Sequence, residues 1–570
     1  IFKEKKTKLS FKVGTMIEFT YENDNLFILQ TRVGKRSARA GVKIAVDMAK
    51  SKLISTDDAI MRIEPKIIDS LLHPQFDEKS LSNATVVGQG LPASPGAGSG
   101  KIVFTPEKAK QLASNGEDII LVREETSPED IESMISCQGV LTCRGGMTSH
   151  AAVVARGMGV TAVVGLGDIK FAEDGKSFTL ANRVFKEGDL ISIDGSSGNV
   201  YLGKVNLTDA KLDESAITLL SWADKKSRLQ VYANADNPRD AQNALNMGAK
   251  GIGLCRTEHM FFEEKKIKAM REMILSGDIM QREKALKKLL PMQKKDFAGI
   301  YKVMNGKDVT IRFLDPPLHE FLPKTEDEIV SLAKDMKISE ESIKQKIESL
   351  KEFNPMMGHR GLRLFVTYPE IAKMQTRAVL ESAIEVQKEG VKVHPEIMIP
   401  LTCDLKEFEY VKNIVIEEAD KIFKEKKTKL SFKVGTMIEV PRACLNADEI
   451  ALQAQFFSFG TNDLTQMTYG FSRDDSGKFL DDYYAKEIFD INPFSTVDTH
   501  GVGKLVDMAV TKAKQTNKNI KLGVCGEHGG DPKSIEFFDK VGLDYVSCSP
   551  YRVLVARLAS AQSAIKNAKK

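Results

Sequence analysis

The sequence predicts a multidomain α/β protein in which a compact α/β unit is followed by a C-terminal (β/α)8 barrel. Three observations carry that expectation. At 570 residues the chain is too long for one ordinary hydrophobic core. A Gly/Pro-rich stretch, GQGLPASPGAGSG, marks a boundary at about 88 to 100. From 229 to 570, short apolar runs alternate with amphipathic helical patterns, as parallel strands with crossover helices require.

Composition narrows the class. With 42% hydrophobic and 28% charged residues, the chain has the balance of soluble globular domains. A net charge of +4 on 82 basic and 78 acidic residues is too weak for polyanion binding to be the main task, so no nucleic-acid partner is expected. The basic run Lys424 to Lys429 reads as a solvated helix end. Seven cysteines without a CxxC pair fit free thiols in a reducing compartment. No apolar run approaches the roughly 20 residues that span a bilayer, and Ile1 to Leu9 lacks a signal-peptide core. No membrane association is expected, and a cytoplasmic location is.

The opening segment IFKEKKTKLSFKVGTMIE returns unchanged from Ile422 to Glu439. Solenoid repeats recur at periods of about 20 to 50 residues and diverge, so this distant, identical pair implies no repeat fold. Ile1 to about Met16 reads as a misplaced copy, joined where two unrelated segments both spell Met-Ile-Glu, with the native N-terminal region absent. Contiguous genomic reads containing both copies would refute that.

From Ile17, IEFTYENDNLFILQTR alternates around an Asn-Asp-Asn turn and predicts a β-hairpin. Helical periodicity dominates from Ala38 to Leu72, interrupted at Pro65. Between about 100 and 203, β-rich runs (GKIVF, DIILV, AVVG, DLISIDG) surround one helix beginning after Thr148. A polar helical stretch from about 207 to 227 then precedes the runs LQVYANAD, GIGLCRTE, VTIRFLD, EIMIPLT, VGTMIEV, FFSFGTNDL and KLGVCGE. Each ends in polar residues, which a barrel would gather on one face; a doubly wound sheet is the competing architecture.

The most informative motif is RGGMTSHAAVVARG, Arg144 to Gly157. Gly145 and Gly146 permit unusual backbone angles, Thr148 or Ser149 can cap the next helix, and His150 then sits where amide N–H groups and the helix dipole favour an anion. A neutral imidazole nitrogen there can take up phosphate as a covalent phosphoramidate.

GGMTSHAAVVARGMG resembles the phosphohistidine segment of phosphoenolpyruvate-utilising enzymes, and SPGAGSG, Ser94 to Gly100, resembles the start of the same domain. In order, the motifs from Glu18 to Lys570 are similar to those of the pyruvate, phosphate dikinases. RFLDPPLHEFLP discriminates: phosphoenolpyruvate synthase and Enzyme I of the sugar phosphotransferase system resemble this chain less closely around Asp315 to Pro323. The resemblance implies a swivelling phosphohistidine domain that travels between two sites, with hinges at about 74 to 95 and 204 to 228. It makes Thr148 the counterpart of a threonine phosphorylated by a regulatory protein in some lineages.

Enolpyruvate chemistry needs cations around a phosphoryl group, a divalent metal and an acid for carbon. The resemblance implies substrate binding by Arg256, Arg312, Arg360, Glu439, Thr461, Asn462 and Asp463, Mg²⁺ held by Glu439 and Asp463, and enolate protonation by Cys525. Leu554 in SPYRVLVARLA departs from the proline usual in the family. Phosphoenolpyruvate and pyruvate are the implied substrates, and a homodimer through the barrel the implied assembly.

Dikinases of this family begin with an ATP-grasp domain, of which the hairpin resembles only the final segment. Glu18, Gln30 and Arg32 match its metal and nucleotide-phosphate positions. The expected divisions are therefore a duplicated segment at 1–16, an ATP-grasp remnant at 17–40, a helical linker region at 41–87, the phosphohistidine domain at 88–203, a linker at 204–228 and the barrel at 229–570. ATP, AMP, phosphate and pyrophosphate are expected partners only where the missing domain is present. The alternatives are a phosphoenolpyruvate–histidine half-reaction module, a phosphorelay protein and an inactive dimerising fragment.

Overall fold

The computed structural model describes residues 15–33, 38–71, 73–126, 130–146, 149, 151–152, 154–155, 159–172, 174–208 and 212–568. The chain divides into two compact units, Ile1–Trp222 and Ala223–Lys570. In the first, Thr15–Glu22 and Asn25–Val33 form the expected antiparallel hairpin. Its turn residues Asn23 and Asp24 have φ of 50° and 60°, a left-handed conformation that these side chains tolerate and that matches strand twist. The helical region forms Ala38–Lys50, Thr56–Arg62 and Pro65–Ser70. Pro65 opens the third helix, where its missing N–H is no loss, rather than interrupting a longer one.

An eight-stranded sheet follows, in the order Val86–Gln89, Asn199–Leu202, Leu190–Asp194, Ala97–Val103, Ile119–Arg123, Gly139–Thr142, Thr161–Val164, Leu91–Ser94. The run from Ala97–Val103 to Thr161–Val164 is parallel. Alternate side chains serve two cores: Ile120 and Val122 pack with Ile102 and Leu141, Ile119 and Leu121 with Val103 and Val140. Apolar residues at consecutive positions are what a sheet covered on both faces demands. Of the helix expected after Thr148, residues 151–152 and 154–155 are described and helical. The polar stretch at 207–227 forms a short strand, Leu207–Thr208, and the helix Glu214–Lys226.

The second unit is a closed parallel barrel. Its strands are β1 Gln230–Asn234, β2 Ile252–Arg256, β3 Asp308–Arg312, β4 His394–Ile399, β5 Lys433–Ile438, β6 Phe456–Phe459, β7 Lys521–Val524 and β8 Tyr545–Cys548. Each pairs with the next, and β8 pairs back onto β1. Closure rules out the doubly wound alternative and leaves no sheet edge. Leu254, Met398, Met437, Phe456 and Cys525 form a small core of their own, while a larger one lies between strands and helices. All seven cysteines are free thiols. Among the described residues no helix is long and apolar enough to cross a membrane.

Candidate active site

The polar ends of the barrel strands converge as a buried charge cluster. Arg312 closes β3 and Glu439 follows β5 directly; Asp463 lies in the first turn of the helix Thr461–Tyr469 after β6, and Cys525 follows β7. Arg312 Nη1 lies 2.9 Å from Asp315 Oδ2, and its Nη2 pairs with Glu258. Arg360 donates to the same Asp315 oxygen from Nη2 at 2.5 Å and lies 3.0 Å from Asp463 Oδ2. Glu439 Oε1 accepts from the Leu401 N–H at 2.7 Å.

Backbone geometry makes this convergence possible. Gly361, beside Arg360, has φ of 56°, and a Cβ there would come within 2.8 Å of Leu401 Cβ and 3.0 Å of Asp315 Oδ1. Glycine alone lets the arginine-bearing loop approach so closely.

The charges do not balance. Burial raises the Glu439 carboxyl to about 8, reinforced by the charges of Asp315 and Asp463 and only partly opposed by Arg360 and Arg312. Burial also raises Asp463, with Asp315 reinforcing it against the attraction of Arg360. Asp315 shifts downward: its burial is outweighed by Arg312 and Arg360. Two arginines thus face four carboxylates, Glu258, Asp315, Glu439 and Asp463, and Asp315 takes most of the compensation.

Several polar atoms here lack hydrogen-bond partners although buried: Arg312 Nε, Glu258 Oε2, Thr461 Oγ1 and Asn462 Oδ1. Unsatisfied groups cost about 1–3 kcal/mol each, so their concentration beside an excess of negative charge fits a site completed by a polar, cation-bearing ligand. The donor set suits Mg²⁺, which uses one or two carboxylates and fills its octahedron with water and substrate oxygens. Among the described residues, no three His, Cys, Asp or Glu side chains gather into a ready-made cage.

Cys525 is 1% exposed. Burial pushes its thiol up to about 11, against the lowering effects of the Ser458 hydroxyl and the Arg312 charge. At neutral pH the group is a thiol, able to give a proton. Arg256, paired across strands with Arg312, is held by Asp236: its N–H donates to Oδ1 at 2.6 Å and its Nη1 lies 3.4 Å from Oδ2.

The structure therefore brings together Arg312, Arg360, Glu439, Asp463 and Cys525, with Arg256, Thr461 and Asn462 at neighbouring strand ends. Sequence reasoning missed Glu258, Asp315 and Asp236. For Glu258 and Asp315 the signal was proximity, two or three residues from a critical arginine in RTE and RFLD, because a buried guanidinium must have a carboxylate partner; Asp236, 20 residues from Arg256, carried no such local signal. His150 and Thr148 lie outside the described residues. Glu18 and Gln30 are exposed and paired across the hairpin, and the Arg32 backbone belongs to its second strand.

Residues 211–565 match the family model described as PEP-utilising enzyme, PEP-binding domain, and residues 115–198, which contain His150, match the mobile domain of the same enzymes. The chain is 56% identical over 552 residues to pyruvate, phosphate dikinase of Clostridium symbiosum, covering 97% of this chain and 63% of that protein. Chloroplastic pyruvate, phosphate dikinase of Flaveria pringlei is 52% identical over 96% of this chain and 57% of its own length. The Rhizobium meliloti (strain 1021) enzyme is 51% identical, with 96% and 61% covered. The chain thus spans about three fifths of the length of these relatives. With the barrel and its motifs matched over more than half its residues, the chain belongs to the phosphoenolpyruvate-utilising enzymes.

Proposed function

We propose that this chain carries out the reversible phosphoryl transfer between phosphoenolpyruvate and His150, the half-reaction of a pyruvate, phosphate dikinase that yields pyruvate. The observation that carries the reading is the barrel mouth, where Arg312 and Arg360 converge with two carboxylates of raised pKa and a buried thiol. The guanidinium forks of Arg256, Arg312 and Arg360 bind the phosphoryl and carboxylate oxygens. An imidazole nitrogen of His150 attacks phosphorus, the P–O bond to the enol oxygen breaks, and the enolate of pyruvate remains. Cys525 gives its thiol proton to the methylene carbon and is left as thiolate; in reverse, the thiolate removes that proton from pyruvate.

Glu439 and Asp463 hold Mg²⁺ in this reading, with Thr461 and Asn462 lining the substrate space. Bound there, the ion supplies Lewis-acid stabilisation of developing negative charge. The chain acts in the cytoplasm as a homodimer, with boundaries near 88, 203 and 229 separating the phosphohistidine domain, linker and barrel. Thr148 is a candidate regulatory position. Glu18, Gln30 and Arg32 belong to the ATP half-reaction, which couples ATP and phosphate to AMP and pyrophosphate in an enzyme with the complete nucleotide domain.

Radiolabelled phosphoenolpyruvate tests the reading. The wild-type chain is expected to take up acid-labile label and release pyruvate, and His150→Asn to take up none. Equal labelling of the variant would overturn the assignment. Label passed to a second protein while pyruvate fails to draw it back would favour a phosphorelay instead.

A further inference from the structure

Cys525 is tied into the barrel from two sides. Its N–H donates to the Phe459 carbonyl at the end of β6 at 3.1 Å. Its carbonyl accepts from Asn234 Nδ2, also at 3.1 Å. Asn234 is the last residue of β1, and β8 separates that strand from β7. No backbone ladder can join β1 to β7, so the carboxamide supplies a tie that the sheet cannot.

The amide has a defined orientation. Ser547, buried on β8, donates its hydroxyl to Asn234 Oδ1 at 2.6 Å. Because the Cys525 carbonyl can only accept, Nδ2 must face it and Oδ1 must face the serine. Space around the hydroxyl is reserved by a glycine: a Cβ at Gly253 on β2 would lie 2.5 Å from Ser547 Cβ and 2.6 Å from its Oγ. One hydrogen-bonded chain thus runs from Ser547 through Asn234 to Cys525, with Gly253 of a fourth strand leaving room beside the serine.

We propose that Asn234, oriented by Ser547, is a positioning residue for the Cys525 thiol. The inference rests on the reading of Cys525 as proton donor. Carbon protonation demands close alignment of donor and acceptor, and a misplacement of about 1 Å can cost about a hundredfold in rate. The thiol itself has only a long contact, from Sγ to the Phe459 carbonyl oxygen at 3.8 Å, so its aim depends strongly on the backbone that carries it. The bond from Asn234 fixes the plane of the Cys525 peptide carbonyl, and with it the backbone frame from which Cβ projects and about which the thiol turns.

Two readouts on the full chain separate positioning from general stability. Deuterium uptake into the methyl group of pyruvate in D2O, with Mg²⁺ present, requires the thiolate to remove a methyl proton and return a deuteron. Single-turnover labelling of His150 from phosphoenolpyruvate requires only cleavage of the P–O bond. Asn234→Ala is expected to lower deuterium uptake about a hundredfold and labelling by less than about threefold. Asn234→Asp should behave alike, since a carboxylate cannot donate to the carbonyl. Ser547→Ala should show a fall of about tenfold in uptake alone, and Ser547→Thr, which keeps the hydroxyl, should restore it.

Uptake within about threefold of wild type in Asn234→Ala, or an equal fall in both readouts, would overturn the proposal. Where Asn234→Ala does not fold, the Ser547→Ala and Ser547→Thr pair decides by the same two measurements. Cys525→Ala distinguishes the layers. If it keeps deuterium uptake, the proton-donor reading is wrong; if it loses uptake while Asn234→Ala keeps it, only the positioning role is wrong.

Discussion

The two ends of the barrel each gather a cluster of charges, and they solve the electrostatic problem in opposite ways. At the N-terminal end of the strands, Lys521 Nζ donates to Asp308 Oδ2 at 2.8 Å and to both oxygens of Glu396 at 2.8 and 3.0 Å. Lys433 and the Thr310 hydroxyl complete the Glu396 shell, and the Tyr232 hydroxyl caps Asp308 at 2.9 Å. Burial would raise Asp308, but the charge and hydrogen bond of Lys521 outweigh it and hold the carboxyl below its ordinary value. At the C-terminal end, Arg312 and Arg360 leave Glu439 and Asp463 raised. One cluster is closed and complete; the other holds an unbalanced charge that a ligand can use. A buried ion pair therefore says little about function until its accounts with its neighbours are known.

The same conservative change at the two ends should have opposite consequences. Glu439→Gln removes a proposed Mg²⁺ ligand, and phosphoryl transfer from phosphoenolpyruvate is expected to fall about a thousandfold. Its barrel should remain as stable as wild type, or become more so above pH 7, because the carboxylate it loses is disfavoured in the fold. Rapid-quench labelling and a urea melt measure the two quantities. Activity within tenfold of wild type would remove Glu439 from the site.

Glu396→Gln is expected to do the reverse. Lys521 and Lys433 lose the charge that binds them while Asp308 remains, so the barrel should be destabilised by about 3 kcal/mol, the lower end of the range for a broken buried pair. Labelling per folded molecule should stay unchanged. A loss of transfer without loss of stability would show that the lower cluster is not merely structural.

What the sequence made legible follows from the range over which each feature acts. Apolar runs ending in polar residues encode a parallel strand and its functional end together, so VTIRFLD and FFSFGTNDL could be read locally. The hairpin was legible for the same reason, since its turn is built from neighbours. The Lys521–Asp308 bond joins residues 213 apart, and no local pattern marks that pairing. The tie from Asn234 to Cys525, 291 residues apart, is equally silent. Nor can a motif state a protonation condition: Glu439 and Asp315 are both acidic letters, yet the surrounding arginines outweigh burial only at Asp315.

The two clusters also respond to pH in opposite senses. Glu439 is raised from 4.5 to about 8, so its protonated form favours the fold. That contribution is fully present below the unfolded value and is lost as pH rises toward about 8. Asp308 is depressed, so its contribution is present above the unfolded value of 3.8 and is lost only as pH falls through the folded value. Mg²⁺ must displace the Glu439 proton, and its affinity should drop by about tenfold per pH unit as pH falls below about 8. Calorimetric titration with Mg²⁺ in two buffers of different ionisation enthalpy should register close to one released proton at pH 7. An affinity flat between pH 6 and 8 would exclude Glu439 as a ligand.

The same letters stand at a second place in the chain, where they should matter least. Thr15 to Glu18 and Thr436 to Glu439 both spell Thr-Met-Ile-Glu, and both begin in β-strands, yet Glu18 is exposed on a two-stranded hairpin and Glu439 is buried at the barrel mouth. Sequence identity over the tetrapeptide cannot carry the chemistry, because the raised carboxyl at Glu439 comes from burial and from Asp315 and Asp463. Glu18→Gln should therefore change labelling from phosphoenolpyruvate by less than about threefold, where the identical substitution at Glu439 abolishes most of it. A large loss at Glu18 in that assay would mean that the hairpin takes part in the phosphoenolpyruvate step itself, and the separation of the two half-reactions along the chain would have to be redrawn.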